Sequence, residues 1–118
     1  MANLVKATRI GLLGQRTASG WIINDNVPFV ALPSIAALHQ RVRVTNPLNG
    51  NSIVAIVLDV GPWNTNDDMY VFRGAPPQAA SGTDISGRKT NKAGIDLGER
   101  VWLALAMTDN TNVIWEFV

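Results

Sequence analysis

Apolar and polar residues alternate over short runs along most of this chain, and turn-forming residues interrupt the runs at close intervals. A period of two is the pattern of strands lying on a half-buried sheet. It predicts strands over residues 6–13, 27–31, 40–45, 52–60 and 112–118. In 40–45, Val42 and Val44 project to one side while Arg41, Arg43 and Thr45 project to the other. In 52–60, Val54, Ile56 and Leu58 share one face, and Ile53, Ala55, Val57 and Asp59 share the opposite one. A strand apolar on both faces belongs in the middle of a closed sheet. The last strand places Val113, Trp115 and Phe117 on one face. Ser34 caps a single helical turn over 34–39. Residues 46–50 form a hairpin turn with the Asn49-Gly50 signal. A period near 3.6 sets in only at 99–107, where Val101 stacks on Leu105 and Trp102 on Ala106. Residues 64–92 are polar and rich in glycine and proline. They form a long loop, with a short strand over 69–72. A loop of that length in a small protein is functional or disordered.

The predicted class is mainly β, with one or two short helices. Many short strands in a small protein point to a barrel, because closure removes exposed edges. The chain has 118 residues, 47% of them hydrophobic, which suits one domain over residues 1–118 with one core. A formal charge of +1 gives no field for nucleic acid or an anionic membrane, so neither is expected as a partner. The absence of cysteine excludes disulfides and thiolate metal sites. His39 is the only histidine and follows an apolar run, which favours a structural role. Asp67-Asp68 alone is a weak calcium signal, so no metal or other cofactor is expected. No apolar run is long enough to span a bilayer. The first six residues lack the basic start and apolar stretch of a secretory signal, which implies synthesis in the cytoplasm. A monomer is expected.

The candidate chemistry lies in Val57-Leu58-Asp59-Val60-Gly61-Pro62-Trp63 and in Ala93-Gly94-Ile95-Asp96-Leu97. Each is an apolar, strand-like approach to an aspartate, so two carboxylates can line one cleft. Inverting glycosidases hold an acid and a base roughly 6.5–9.5 Å apart. A lytic transglycosylase needs only one carboxyl group, which acts as acid and then as base. Each aspartate also has a structural reading. Asp96-Leu97-Gly98-Glu99 has the form of a capping box, unless Gly98 is the cap. Asp59, before Val-Gly-Pro, can form a turn by bonding backbone amides two residues on. Trp21, Trp63 and Tyr70 lie in polar stretches where aromatic faces would stack on sugars, whereas Trp102 and Trp115 lie on apolar faces. Trp63 can equally be the apolar anchor of its own loop. Arg88, Lys89 and Lys92 form a short basic cluster, either a solvated loop or a contact for acidic wall groups.

An ordered set of short segments runs along the chain: Thr17-Ala18-Ser19-Gly20, Ala31-Leu32-Pro33, Val42-Arg43-Val44-Thr45-Asn46, Asn49-Gly50, Asp59-Val60-Gly61-Pro62 and Ile95-Asp96-Leu97. The set resembles the double-psi β-barrel domain of rare lipoprotein A, a six-stranded barrel shared more distantly by expansins and family 45 endoglucanases. The insertion after Gly61 resembles a bacterial and phage-associated branch of unassigned role. The resemblance implies that Asp96 occupies the essential acidic position of the glycan-active members. It places Asp59 at a second acidic position and Thr17 on the cleft rim. Trp21 stands where the family usually has glutamate, Val30-Ala31 replaces the histidine before Leu-Pro, and Gly11, Leu12 and Leu13 leave the first strand without the endoglucanase base. The expectation is a protein acting on cell-wall glycan, peptidoglycan in particular, as a lytic transglycosylase-like or muramidase-like enzyme. Asp96 and Asp59 would be its catalytic pair, and Thr17, Trp21, Trp63, Asn64 and Tyr70 its substrate contacts. The alternatives are an expansin-like glycan-binding module without turnover and a phage structural protein.

Overall fold

The computed structural model describes residues 2–118. Six strands close into a barrel: β1 (Asn3–Arg9), β2 (Phe29–Leu32), β3 (Arg41–Thr45), β4 (Ser52–Val60), β5 (Ile95–Leu97) and β6 (Asn112–Phe117). The order around the barrel is β1-β5-β2-β4-β3-β6. β1 runs parallel to β5 and β2 parallel to β4; the remaining neighbours are antiparallel. The mainly β barrel with two short helices is the class that the alternation predicts.

Each strand gives alternate residues to the interior. Val5 and Ala7, Val30 and Leu32, Val42 and Val44, Ala55 and Val57, Ile95 and Leu97, and Val113 and Trp115 form one buried cluster. A second, smaller cluster lies outside the barrel, where Ile10, Ile23, Phe29, Ala31 and Leu58 pack beneath the segment joining β1 to β2. That segment begins earlier than the predicted strand allows. β1 ends at Arg9; the Ile10 amide still donates to the Leu97 carbonyl at 2.8 Å, and its side chain packs on the outer face.

Three further elements differ from expectation. Residues 69–72 are not a strand but part of helix α1 (Asp68–Arg73). Tyr70 and Val71 are both buried, and adjacent residues of a strand point to opposite sides, whereas a helix can turn both inward. Gly74 ends α1 with φ 78°, the left-handed conformation that glycine tolerates. Helix α2 (Glu99–Ala104) stops short of residue 107. Ala106 turns left-handed at φ 50°, and the Asn46 and Asn49 side-chain amides each donate to the Leu105 carbonyl at 3.0 Å. The 46–50 turn thus caps the end of α2. The 64–92 segment is ordered by internal hydrogen bonds, with α1 and a short 3-10 turn (Gln78–Ser81) inside it.

Candidate functional site

The strand register gathers the acidic site. Ala31 on β2 pairs with Asp59 on β4 to one side and with Asp96 on β5 to the other, and Asp96 pairs with Thr8 on β1. One row across four strands therefore reads Asp59, Ala31, Asp96, Thr8. Neighbouring strands lie about 4.8 Å apart, so the two aspartates are about two strand spacings from each other at the backbone. The side chain between them is a methyl group.

A bulge puts both carboxylates on the same face. Val30 pairs with Val57, but Ala31 pairs with Asp59, so Leu58 is the extra residue. Unbroken alternation would send Asp59 toward the barrel interior with Val57. The bulge instead turns it outward, beside Ala31, and corrects the predicted grouping of Ile53, Ala55, Val57 and Asp59. Asp96 lies between the inward Ile95 and Leu97 and so faces outward as well.

The two carboxylates have different partners. Asp59 Oδ1 accepts hydrogen bonds from the Ala18 and Val60 backbone amides, both at 2.9 Å. Neither amide lies two residues on, as a turn-forming aspartate would require; the pair instead ties the Thr17-Ala18-Ser19-Gly20 loop to the end of β4. Asp96 accepts one hydrogen bond, from the Thr8 hydroxyl. Burial pushes its carboxyl up to about 6; the Thr8 bond opposes the shift and the nearby Asp59 charge adds to it. Asp96 does not cap α2, because Gly98 occupies the N-cap. A Cβ at Gly98 would meet the Phe29 ring at 2.4 Å, so glycine is required for α2 to sit against β2. Gly61 follows the bulge closely; a Cβ there would lie 3.8 Å from Asp96 Oδ2. The approach to that oxygen is left open by a residue with no side chain.

The other predicted contacts divide. Thr17 is buried and its hydroxyl meets Ser19 Oγ at 2.9 Å. Trp21 is half-buried and packs edge-on against Phe29, with ring centroids 4.8 Å apart. Trp63 is half-buried and left-handed at φ 69°; its indole Nε1 donates to Asn91 Oδ1 at 2.9 Å. Asn64 does not present its amide to a ligand. It is buried, donates to Gln78 Oε1 and accepts from the Ile85 backbone amide. Tyr70 is corrected outright. Its ring is 0% exposed, its hydroxyl donates to the Gly94 carbonyl at 2.8 Å, and that oxygen accepts from Trp115 Nε1 at 2.7 Å. No ring face remains for a sugar. His39 is exposed and left-handed at φ 70°.

Sequence reasoning missed Thr8 and Ala31. Their only signal was a position on the outward side of a strand, which is uninformative until the strands are paired. A recess of about 450 Å³ lies beside the row, between Arg9, Ile23, Asp25, Glu99 and Leu103. Arg9 there forms a two-pronged ion pair with Glu99, at 2.8 and 2.5 Å. Among the described residues no three His, Asp or Glu side chains converge as metal ligands.

Solved structures share this fold. The Streptomyces papain inhibitor superposes over 100% of this chain and 94% of its own, with a TM-score of 0.60 and 18% identity. The apo expansin of Clavibacter michiganensis gives a TM-score of 0.59 at 18% identity, and a point mutant of that expansin in complex with cellohexaose gives 0.58 at 16%. Both cover all of this chain, which spans 50% of the expansin. These neighbours share the fold of this barrel. No curated protein matches the chain by sequence. A family model described as a domain of unknown function (DUF8814) matches residues 1–115, and the chain belongs to that family.

Proposed function

We propose that this protein acts on cell-wall glycan, with peptidoglycan as its substrate, and that Asp96 is the general acid. The observation that carries this reading is the Asp59-Ala31-Asp96-Thr8 row, two outward carboxylates flanking one small side chain. With its carboxyl at about 6, Asp96 retains a proton in mildly acidic solution and loses it toward neutrality. It gives that proton to the bridging oxygen as the C1–O bond breaks. The C6 hydroxyl of the same sugar then bonds to C1 and returns a proton to Asp96, closing an anhydro ring without consuming water. Asp59 stabilises the positive charge that develops at C1 and keeps the Asp96 proton in place. Trp63 and Trp21 flank the groove, and Thr17 shapes its rim.

The rival reading is an expansin-like module that binds glycan without turnover. It is favoured by Asp59 Oδ1, which already accepts two amides, and by a row that holds Thr8 rather than a further acid or base. The expansin neighbour solved with cellohexaose supports a glycan ligand for such a barrel. The same fold in a papain inhibitor is a reminder that the site decides function and the barrel does not.

Digestion of purified peptidoglycan, followed by mass spectrometry of the soluble fragments, separates the two. Anhydro ends from the wild type, reduced about 10²–10⁴-fold in Asp96→Asn, support a transglycosylase acting through Asp96. Hydrated ends indicate hydrolysis. No soluble product, with protein retained on the insoluble wall, overturns the enzyme and leaves the binding module.

A further inference from the structure

The 61–92 segment carries a second constellation that the aspartate row does not use. Asp84 is 3% exposed. Its Oδ1 accepts from Ser86 Oγ and from the Arg88 backbone amide, both at 2.8 Å, and its Oδ2 accepts from Arg88 Nε at 2.6 Å. Arg88 Nη2 also donates to the Trp63 carbonyl at 3.2 Å, and the guanidinium lies 5.9 Å from the centre of the Trp63 ring. The guanidinium is thus held by a buried acid, a carbonyl and an indole. Nη1 has no protein partner among the described residues, and the side chain is 65% exposed. A recess of about 230 Å³ opens there, with Trp63, Asn64, Thr65, Asp84, Ser86 and Arg88 among its walls.

Three features make this recess suited to an anion. Asp84 is 3% exposed and both its oxygens are already occupied by Ser86 and Arg88, so the charged group left to meet a ligand is the Arg88 guanidinium. The Arg88 plane is already oriented, so little side-chain freedom remains to be lost when a ligand binds. A guanidinium edge matches the two oxygens of a carboxylate better than it matches a neutral hydroxyl. The recess lies close to the aspartate row: a Cβ at Gly61 would meet Asp96 Oδ2 at 3.8 Å and the Trp63 backbone nitrogen at 4.0 Å.

We propose that the Trp63–Arg88 recess is a subsite for a carboxylate borne by the glycan, so that this protein selects acidic wall polymers over neutral polysaccharides. The proposal rests on the reading of the aspartate row as a glycan groove. Arg88 pairs with a free carboxylate of the peptide stem that the glycan bears, and Trp63 covers the face of an adjacent sugar.

The test is co-sedimentation with peptidoglycan stripped of phosphate-containing polymers. One portion is native; in the other the carboxyls are converted to methylamides. The wild type is expected to bind the native wall about 5–10-fold more tightly, the range of a single charge-assisted hydrogen bond at a partly exposed site. Arg88→Gln should bind both walls alike, at the level of the amidated one. Equal binding of the wild type to both walls overturns the subsite and leaves the glycan groove standing. Absence of binding to either wall overturns both. The comparison of the two walls uses the wild type alone, so it holds even if Arg88→Gln folds poorly.

Discussion

Asp96 on the barrel and Asp84 in the 61–92 segment are both enclosed carboxylates, and the two regions treat them in opposite ways. Asp96 has a hydroxyl partner, a second carboxylate nearby and no cation among its hydrogen-bond partners; its carboxyl is pushed up to about 6. For Asp84 burial acts in the same upward direction. The hydrogen bonds from Ser86 and Arg88 and the Arg88 charge outweigh it and hold the carboxyl at about 2. Burial alone does not decide the charge state; the company of the carboxylate does. The segment uses its acid as a permanent anion that fixes a turn and an arginine. The barrel keeps its acid uncompensated, the condition a proton donor needs.

The largest effect should come from removing the uncompensated charge. Below about pH 4, Asp96 is protonated in the folded and the unfolded chain alike. Above about 6 the folded chain must carry the charge in an enclosed position, while the unfolded chain carries it in water. Stability therefore falls as pH rises through that window, by about 3 kcal/mol at most. Asp96→Asn should abolish the fall and be the more stable protein at pH 8, even as it loses turnover. Urea denaturation at pH 4 and pH 8 measures this. An asparagine variant less stable than the wild type at pH 8 would show that Asp96 carries no burial penalty.

The opposite experiment pushes Asp84 toward the state of Asp96. Arg88→Gln removes the cation and one hydrogen bond and leaves the burial. The Asp84 carboxyl should rise by about 1–3 units, read by carboxyl-carbon NMR titration. Stability from a depressed carboxyl is present above the unfolded value and is lost as pH falls through the folded one. The acid limb of the wild type should thus move to higher pH in the variant. An unmoved Asp84 would mean that the Ser86 hydroxyl and the residue-88 backbone amide alone hold it down.

Thr8→Val acts on Asp96 from the side that stabilises its anion. Valine keeps the shape of threonine and removes the donor, so the Asp96 carboxyl should rise above 6 by about one unit, the worth of one hydrogen bond to a charged group. The pH limit of turnover should move with it.

Much of this contrast was legible in the chain, and the remainder depended on geometry that no local pattern records. The alternation of β4 located Ser52–Val60 to the residue, and the apolar approaches to Asp59 and Asp96 drew attention to both aspartates of the row. The bulge at Leu58 left no trace in the alternation, because a leucine there suits either face. Thr8 lies 88 residues from Asp96, and a parallel pairing over that distance cannot be read from either strand alone. Tyr70 misled because β-propensity and helical burial compete in a short segment, and a polar neighbourhood in sequence became a buried one once α1 turned inward. Asn64 looked like a loop ligand because a polar residue in a polar segment gives no sign that its amide will brace the segment from within.

The smallest effect is also the most direct check that the row is one electrostatic unit. Asp59→Asn keeps an acceptor for the Ala18 and Val60 amides and removes the charge. Two charges about 9 Å apart interact by roughly 0.5–1 kcal/mol when the effective dielectric lies between about 40 and that of water. The Asp96 carboxyl should therefore fall by about 0.3–0.7 unit, in the direction opposite to the shift in Thr8→Val. Carboxyl-carbon titration of Asp96 in both variants resolves signs as well as sizes. If Asp59→Asn left Asp96 unmoved, Asp59 would be a clasp for the Thr17-Ala18-Ser19-Gly20 loop and nothing more. A single acid would then have to do all of the chemistry, and the case for turnover would rest on Asp96 and Thr8 alone.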